Sequence, residues 1–200
     1  MNIENKNIKK LIINQSLELD CGKIIKDFPL AYETYGSLNN NKSNAILVFH
    51  ALTGDQFCTG INPITKREGW WNTAVGPGQA IDTNKYFIIC ANVLGGCMGT
   101  YGPKEIDPKT KKKFATTFPV ITIKDMVKAQ KYLLDHFQIK KLLSIIGASM
   151  GGMQVLQFAS MYPDKAHSAI PIACSASHSA QNIALNELGR QAIMADPNWK

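Results

Sequence analysis

The sequence predicts an α/β fold built on a largely parallel sheet, and three observations carry that expectation. Ala45 to Phe49, Tyr86 to Cys90 and Leu142 to Ile146 are short, nearly continuous apolar runs, the pattern of strands buried on both faces. Helical periodicity follows Thr122 and follows Ser149, so strand and helix alternate. The third apolar run leads into Gly147-Ala148-Ser149-Met150-Gly151, a G-x-S-x-G turn that joins a strand to a helix.

Residues 8 to 35 read as the opening of the sheet. Leu17 and Leu19 alternate, Gly22 marks a turn, and Ala31 to Tyr35 alternate again before Gly36, which suggests early antiparallel strands. The polar stretch Ser37 to Asn44 is a loop. Ala45 to Phe49 then forms a buried strand that runs into His50-Ala51-Leu52-Thr53-Gly54-Asp55. In serine enzymes of this architecture the loop after the third strand supplies an oxyanion amide, and Leu52 is the natural donor. His50 precedes the serine, against the Ser, acid, His chain order of such enzymes, and is expected to shape the loop rather than act as a base.

Residues 54 to 84 hold Trp70, Trp71 and the Gly76-Pro77-Gly78 turn with little regular periodicity, and are expected to wall a site. Tyr86 to Cys90 is the next strand. It enters the glycine-dense segment Asn92 to Pro103, where backbone must pass close to a neighbour; the Gly-Lys-Ser/Thr ending of a phosphate loop is absent. Cys97 in that segment is read as a buried packing residue, not a rival nucleophile.

Thr122-Ile123-Lys124-Asp125 reads as a capping box, and Met126, Val127, Gln130, Leu133, Leu134 and Phe137 follow at helical spacing. After the elbow, Met153, Leu156, Gln157, Ser160 and Met161 continue an amphipathic helix until Pro163. Ala169 to Cys174 is a further strand despite Pro171, and Gln181 to Met194 a further helix. Residues 1–175 are expected to form the sheet core with its elbow, and residues 176–200 the start of a helical lid.

Composition narrows the classes. A chain of 200 residues, 45% of them hydrophobic, can bury one core. The polar N-terminus has no apolar h-region and is not expected to be a secretory signal, and no segment has the length of a membrane span. The formal charge of +7 is spread along the chain; Lys109 to Lys113 is its densest run, but no aromatic residues interleave with it and no nucleic-acid motif is present. Five widely spaced cysteines without a C-x-x-C pair argue against zinc or redox sites and suit a reducing cytoplasm. Neither a metal nor a resident cofactor is expected.

The elbow carries the chemistry. A serine hydroxyl is a weak nucleophile at neutral pH and needs a neighbouring base. The strained turn lifts Ser149 above the sheet and places the Met150 amide where an oxyanion would form.

His50 to Asp55, Trp70-Trp71, Gly76 to Gly78, Asn92 to Pro103, Phe118-Pro119 with Thr122-Ile123 and Asp125 to Val127, Gly147 to Gln154, Ser179 to Ile183 and Gly189 to Ile193 follow one another in an order that resembles the homoserine O-acetyltransferases of methionine biosynthesis. The resemblance implies an α/β-hydrolase fold, a cytoplasmic homodimer when complete, and transfer of an acetyl group from acetyl-CoA, a cosubstrate, to the hydroxyl of L-homoserine by a ping-pong acyl-serine mechanism. It implies Ser149 as nucleophile with Leu52 and Met150 as oxyanion donors. It does not place the homoserine-binding residues.

Beyond the serine the sequence departs from that family. Relatives carry the catalytic aspartate and histidine far downstream, after two later strands. Here only residues 150–200 remain, and His167, His178, Asp164, Glu187 and Asp196 match neither role. Arg190 lies in a family motif but is not equated with the family's substrate arginine. The expectation is therefore an N-terminal fragment that lacks the triad acid and base and the C-terminal strands, is inactive alone, and tends to aggregate through an apolar sheet edge. Three alternatives stay open: a succinyl donor or a serine acceptor within the same family, a simple esterase, and a non-catalytic truncated chain that binds a partner.

Overall fold

The computed structural model describes residues 8–199. The expectation about a leader falls mainly on Met1 to Asn7, outside that range.

The chain opens with β1 (Lys9–Ile13), a two-stranded ribbon of β2 (Leu17–Glu18) and β3 (Ile24–Ile25), and β4 (Phe28–Tyr35). β4 pairs antiparallel with β1, from Lys9 opposite Tyr32 to Ile13 opposite Phe28. β5 (Ala45–Phe49) follows the polar loop; β6 (Val75–Gly76) and β7 (Ile81–Asp82) form a second small ribbon; β8 (Phe87–Ala91) returns to the main sheet. α1 (Ile123–His136), β9 (Ser144–Ala148), α2 (Met150–Met161), β10 (Ala169–Ile172) and α3 (Ala180–Met194) complete the order. The main sheet runs β1-β4-β8-β5-β9-β10. β8, β5, β9 and β10 are mutually parallel, while β4 joins β8 antiparallel.

The central strands are buried on both faces, as their continuous apolar runs require, and alternate residues serve two cores. Ala45, Leu47, Phe49, Ile89, Ala91 and Ile145 face a cluster completed by Val127, Leu133 and Leu134 of α1 and Val155 and Phe158 of α2. Ile46, Val48, Ile88, Cys90 and Ile146 face the other way. The second face is covered by the irregular segment between β5 and β8 rather than by a helix. Val75 and Ile81 pack there, with Trp70 and Trp71 against them; the two indoles stack at 5.3 Å, and Trp70 Nε1 donates to the Asp55 carbonyl at 2.9 Å.

The helix ahead of the elbow starts where its sequence says. Thr122 Oγ1 accepts from Asp125 N and the Asp125 carboxylate accepts from Thr122 N, a complete capping box. The apolar run read as Leu142 to Ile146 becomes a strand two residues later, because Leu142 makes only a single bridge, to Ala166. β10 is the outer strand, and all four of its residues are exposed.

Candidate active site

β9 ends between β5 and the edge strand β10, and the chain turns there through Ser149 into α2. Ser149 has φ 56° and ψ −123°, a conformation that non-glycine residues avoid at a cost of about 1–3 kcal/mol. The turn is held from both sides: Ser149 N donates to the Ile172 carbonyl at 3.0 Å and Ser149 O accepts from Met153 N at 3.0 Å. Its side chain is exposed. The glycines are steric requirements. A methyl group on Gly147 would lie 2.5 Å from the Gly151 oxygen, and one on Gly152 would lie 2.6 Å from Cys174 Sγ.

Ser149, Met150 and Leu52 line one open cavity of about 1170 Å³. Met150 is the first residue of α2, so its amide has no intrahelical acceptor and carries the positive end of the helix dipole. Leu52 is 76% exposed and lies three residues past the C-terminal end of β5. The three residues singled out from sequence are thus brought together. A second cavity of about 360 Å³ adjoins the first; Leu52 and Met150 border both, and Ser149 does not border the second.

α3 overhangs the larger cavity with Asn182, Leu185 and Asn186, yet none of its residues is buried. His178 and Cys174 also line this space, roles that no sequence motif announced. Among the described residues no histidine or carboxylate hydrogen-bonds the Ser149 side chain. Arg190 is exposed and pairs with Glu187 at 3.0 Å.

Two expectations need correction, and the faces of α2 are now defined. Residues 54 to 84 do not wall the site: of them only Gly54 borders either cavity, while Cys58, Trp70, Trp71, Val75 and Ile81 pack on the second face of the sheet. Cys97 is exposed, at the rim of the smaller cavity, because the glycine-rich segment folds back on itself and leaves its side chain outside; the Gly102 α-carbon abuts the Gly96 carbonyl there. Met153, Leu156, Gln157 and Ser160, which carry the helical periodicity after the elbow, line the large cavity, while the core contacts of α2 come from Gln154, Val155 and Phe158.

His50 shapes the loop, as expected, and does so from a buried position. Its Nε2 accepts from Val93 N at 3.1 Å and its Nδ1 lies 2.7 Å from the Ala51 carbonyl oxygen. Together these place the ring proton on Nδ1 of a neutral imidazole. Burial pushes the His50 pKa below 6.5, with the Ala51 contact opposing the shift. Gln154 Nε2 reaches the His50 carbonyl at 3.4 Å, and Gln130 Nε2 of α1 donates to Gln154 Oε1 at 2.7 Å, so a buried amide pair ties both helices to the end of β5. Asp55 pins the next turn, accepting from Phe57 N at 2.8 Å and Asn62 Nδ2 at 2.9 Å; burial nevertheless raises its pKa.

Among the described residues no helix is long and apolar enough to cross a membrane, and no group of three metal-ligating side chains occurs. The lysines at 109 and 111 to 113 are solvent-exposed.

Comparison with known proteins agrees with this architecture. Residues 44–200 match the family model described as alpha/beta hydrolase fold. The chain is 70% identical over 200 residues to homoserine O-acetyltransferase of Pelagibacter ubique, covering all of this chain and 54% of that protein. It is 58% identical over 187 residues to the enzyme of the same name from Nitrobacter hamburgensis, covering 94% of this chain and 47% of that one. The chain therefore spans about half the length of these curated relatives. Among solved structures, esterase E22 superposes with a TM-score of 0.86 at 34% identity, covering 96% of this chain and 54% of its own. Homoserine O-acetyltransferase from Bacillus anthracis does so with 0.84 at 33%, covering 96% and 53%. The chain belongs to the alpha/beta hydrolase family, and within it resembles the homoserine O-acetyltransferases.

Proposed function

We propose that this chain carries the nucleophile half of a homoserine O-acetyltransferase, with Ser149 as nucleophile and the Leu52 and Met150 amides as oxyanion donors. The observation that carries the reading is the convergence of those three residues on one cavity at the strained apex between β9 and α2. Similarity to enzymes of that name supports the choice of acetyl-CoA and L-homoserine as substrates.

In the first half-reaction the Ser149 oxygen attacks the thioester carbonyl. The carbonyl oxygen becomes an oxyanion held by the two amides, the carbon–sulfur bond breaks, and the serine proton leaves with the CoA thiol. In the second, the homoserine hydroxyl attacks the acetyl-serine, its proton returns to Ser149, and O-acetylhomoserine departs. The base that moves these protons, and the acid that orients it, are assigned to polypeptide beyond residues 1–200. Residues 1–175 act as the core and residues 176–200 as the start of a lid, a division supported by α3 lining the same cavity as Ser149. A cytoplasmic homodimer is the assembly this reading implies.

The likeness to esterase E22 favours a second reading, in which water takes the acyl group. The two separate in one assay on the polypeptide that contains these residues. Homoserine-dependent release of CoA from acetyl-CoA, abolished by Ser149→Ala, supports transfer. CoA release at the same rate with or without homoserine supports hydrolysis. No Ser149-dependent release with either would overturn both.

A further inference from the structure

We propose that His50 is a positioning residue that sets the direction of the Leu52 amide, through the peptide unit joining Ala51 to Leu52. The inference rests on the reading of Leu52 as an oxyanion donor. A trans peptide is planar, so its carbonyl and its N–H point in opposite directions, and whatever holds one aims the other. The Ala51 carbonyl belongs to the same peptide plane as the Leu52 N–H. That oxygen is held twice: by His50 Nδ1 at 2.7 Å and by Gly54 N at 2.9 Å. With the oxygen turned toward the buried imidazole, the Leu52 N–H is turned away from it. Rotation of this peptide would instead present a carbonyl oxygen where negative charge develops, which is repulsive.

The imidazole is itself anchored from outside its own loop. Val93 N, just after β8, donates to Nε2 at 3.1 Å, and the ring is 1% exposed. A methyl group on Gly54 would lie 2.9 Å from the His50 Cβ, so the turn closes directly on the histidine. His50 therefore transmits the spacing of two parallel strands to the orientation of one peptide.

The test separates the two contacts of the ring. His50→Asn keeps a donor near the place of Nδ1 and loses the acceptor for Val93. His50→Gln reaches toward Val93 and loses the donor to Ala51. In the polypeptide that contains this chain, the rate of Ser149 acetylation by acetyl-CoA is measured by quenched-flow and intact mass, beside the KM for homoserine and the melting temperature. The expected result is a loss on the order of 10²-fold in acylation for His50→Gln and His50→Ala, the size seen when one oxyanion donor is removed. His50→Asn should stay within a few-fold of wild type, with the homoserine KM unchanged throughout. Equal losses for Asn and Gln that follow their melting temperatures, or wild-type acylation in His50→Gln, overturn the proposal while leaving Ser149 as nucleophile. Absence of acylation in the wild type defeats the functional reading itself, and this inference with it.

Discussion

The Gly151 α-carbon rests against the backbone carbonyl of Phe49, so closely that a methyl group there would lie 2.1 Å from the oxygen. α2 can begin directly behind Ser149 only because of that approach, since the first turn of the helix passes over the end of β5. Gly151→Ala should therefore destabilise the fold by about 1–3 kcal/mol, as over-packing does. It should also reduce activity by more than the folded fraction accounts for, because Met150 and Ser149 must shift with the helix. Urea unfolding beside a specific-activity measurement on the same sample checks both.

Ser149 carries a conformational cost that its chemistry requires. At φ 56° and ψ −123° a side chain is strained and glycine is not. Ser149→Gly and Ser149→Ala should both be inactive, but Gly should be the more stable of the two by about 1 kcal/mol or more. Thermal unfolding of the two variants decides; Ala equal to or above Gly would mean that the turn is not strained.

Acid stability depends on a buried histidine and a half-buried aspartate whose pKa values shift in opposite directions. The folded-state pKa of His50 lies below its unfolded value of 6.5, so its contribution is complete above pH 6.5 and is lost as pH falls toward the folded value. The folded-state pKa of Asp55 lies above 3.8, so its contribution is complete below pH 3.8 and is lost as pH rises through the folded value. The melting temperature should fall on acidification below pH 6.5, with Asp55 protonation offsetting part of the loss at lower pH. His50→Gln, which cannot titrate, should show a shallower fall between pH 7 and 5.5.

Thr122→Ala removes the side-chain half of the α1 capping box and the contact of Thr122 Oγ1 with Asp20 at 2.8 Å. The expected cost is about 1 kcal/mol. α1 meets the site through Ile123 and Met126, which border the two cavities, and through the Gln130–Gln154 pair; the Thr122 hydroxyl contacts none of these side chains, so kcat should stay near wild type at temperatures where the variant is folded. Denaturation curves and initial rates measured together test that separation.

What could be read in advance was what local sterics and burial dictate. The apolar run at 45–49 is a strand, and so is the run at 86–90 apart from Tyr86, because both faces are buried, and the elbow is legible because close backbone approach demands glycine at 147 and 151. α2 is apolar on two sides, one against the sheet and one against the cavity, so its periodicity alone could not say that Met153 and Leu156 face the site. The cover formed by Trp70 and Trp71 has no period to detect. The bond from Val93 to His50 spans 43 residues, and only the parallel pairing of β5 with β8 brings its partners together.

Pro171 gives the exposed edge strand β10 a property of its own. Ser149 N donates to the Ile172 carbonyl and Ile145 N to the Ser168 carbonyl, so the even-numbered residues bond inward to β9 and the odd-numbered ones face outward. The outward row of donors therefore has a gap at its centre, because proline has no N–H. A strand arriving from a stray copy of the chain would meet an unmatched carbonyl at that point, whereas one whose own backbone bends or bulges there would lose nothing. The gap thus makes this edge a poorer template for pairing with a second copy of the chain. Pro171→Val, which restores the donor, should speed self-association of freshly diluted unfolded chains, visible as faster growth of light scattering.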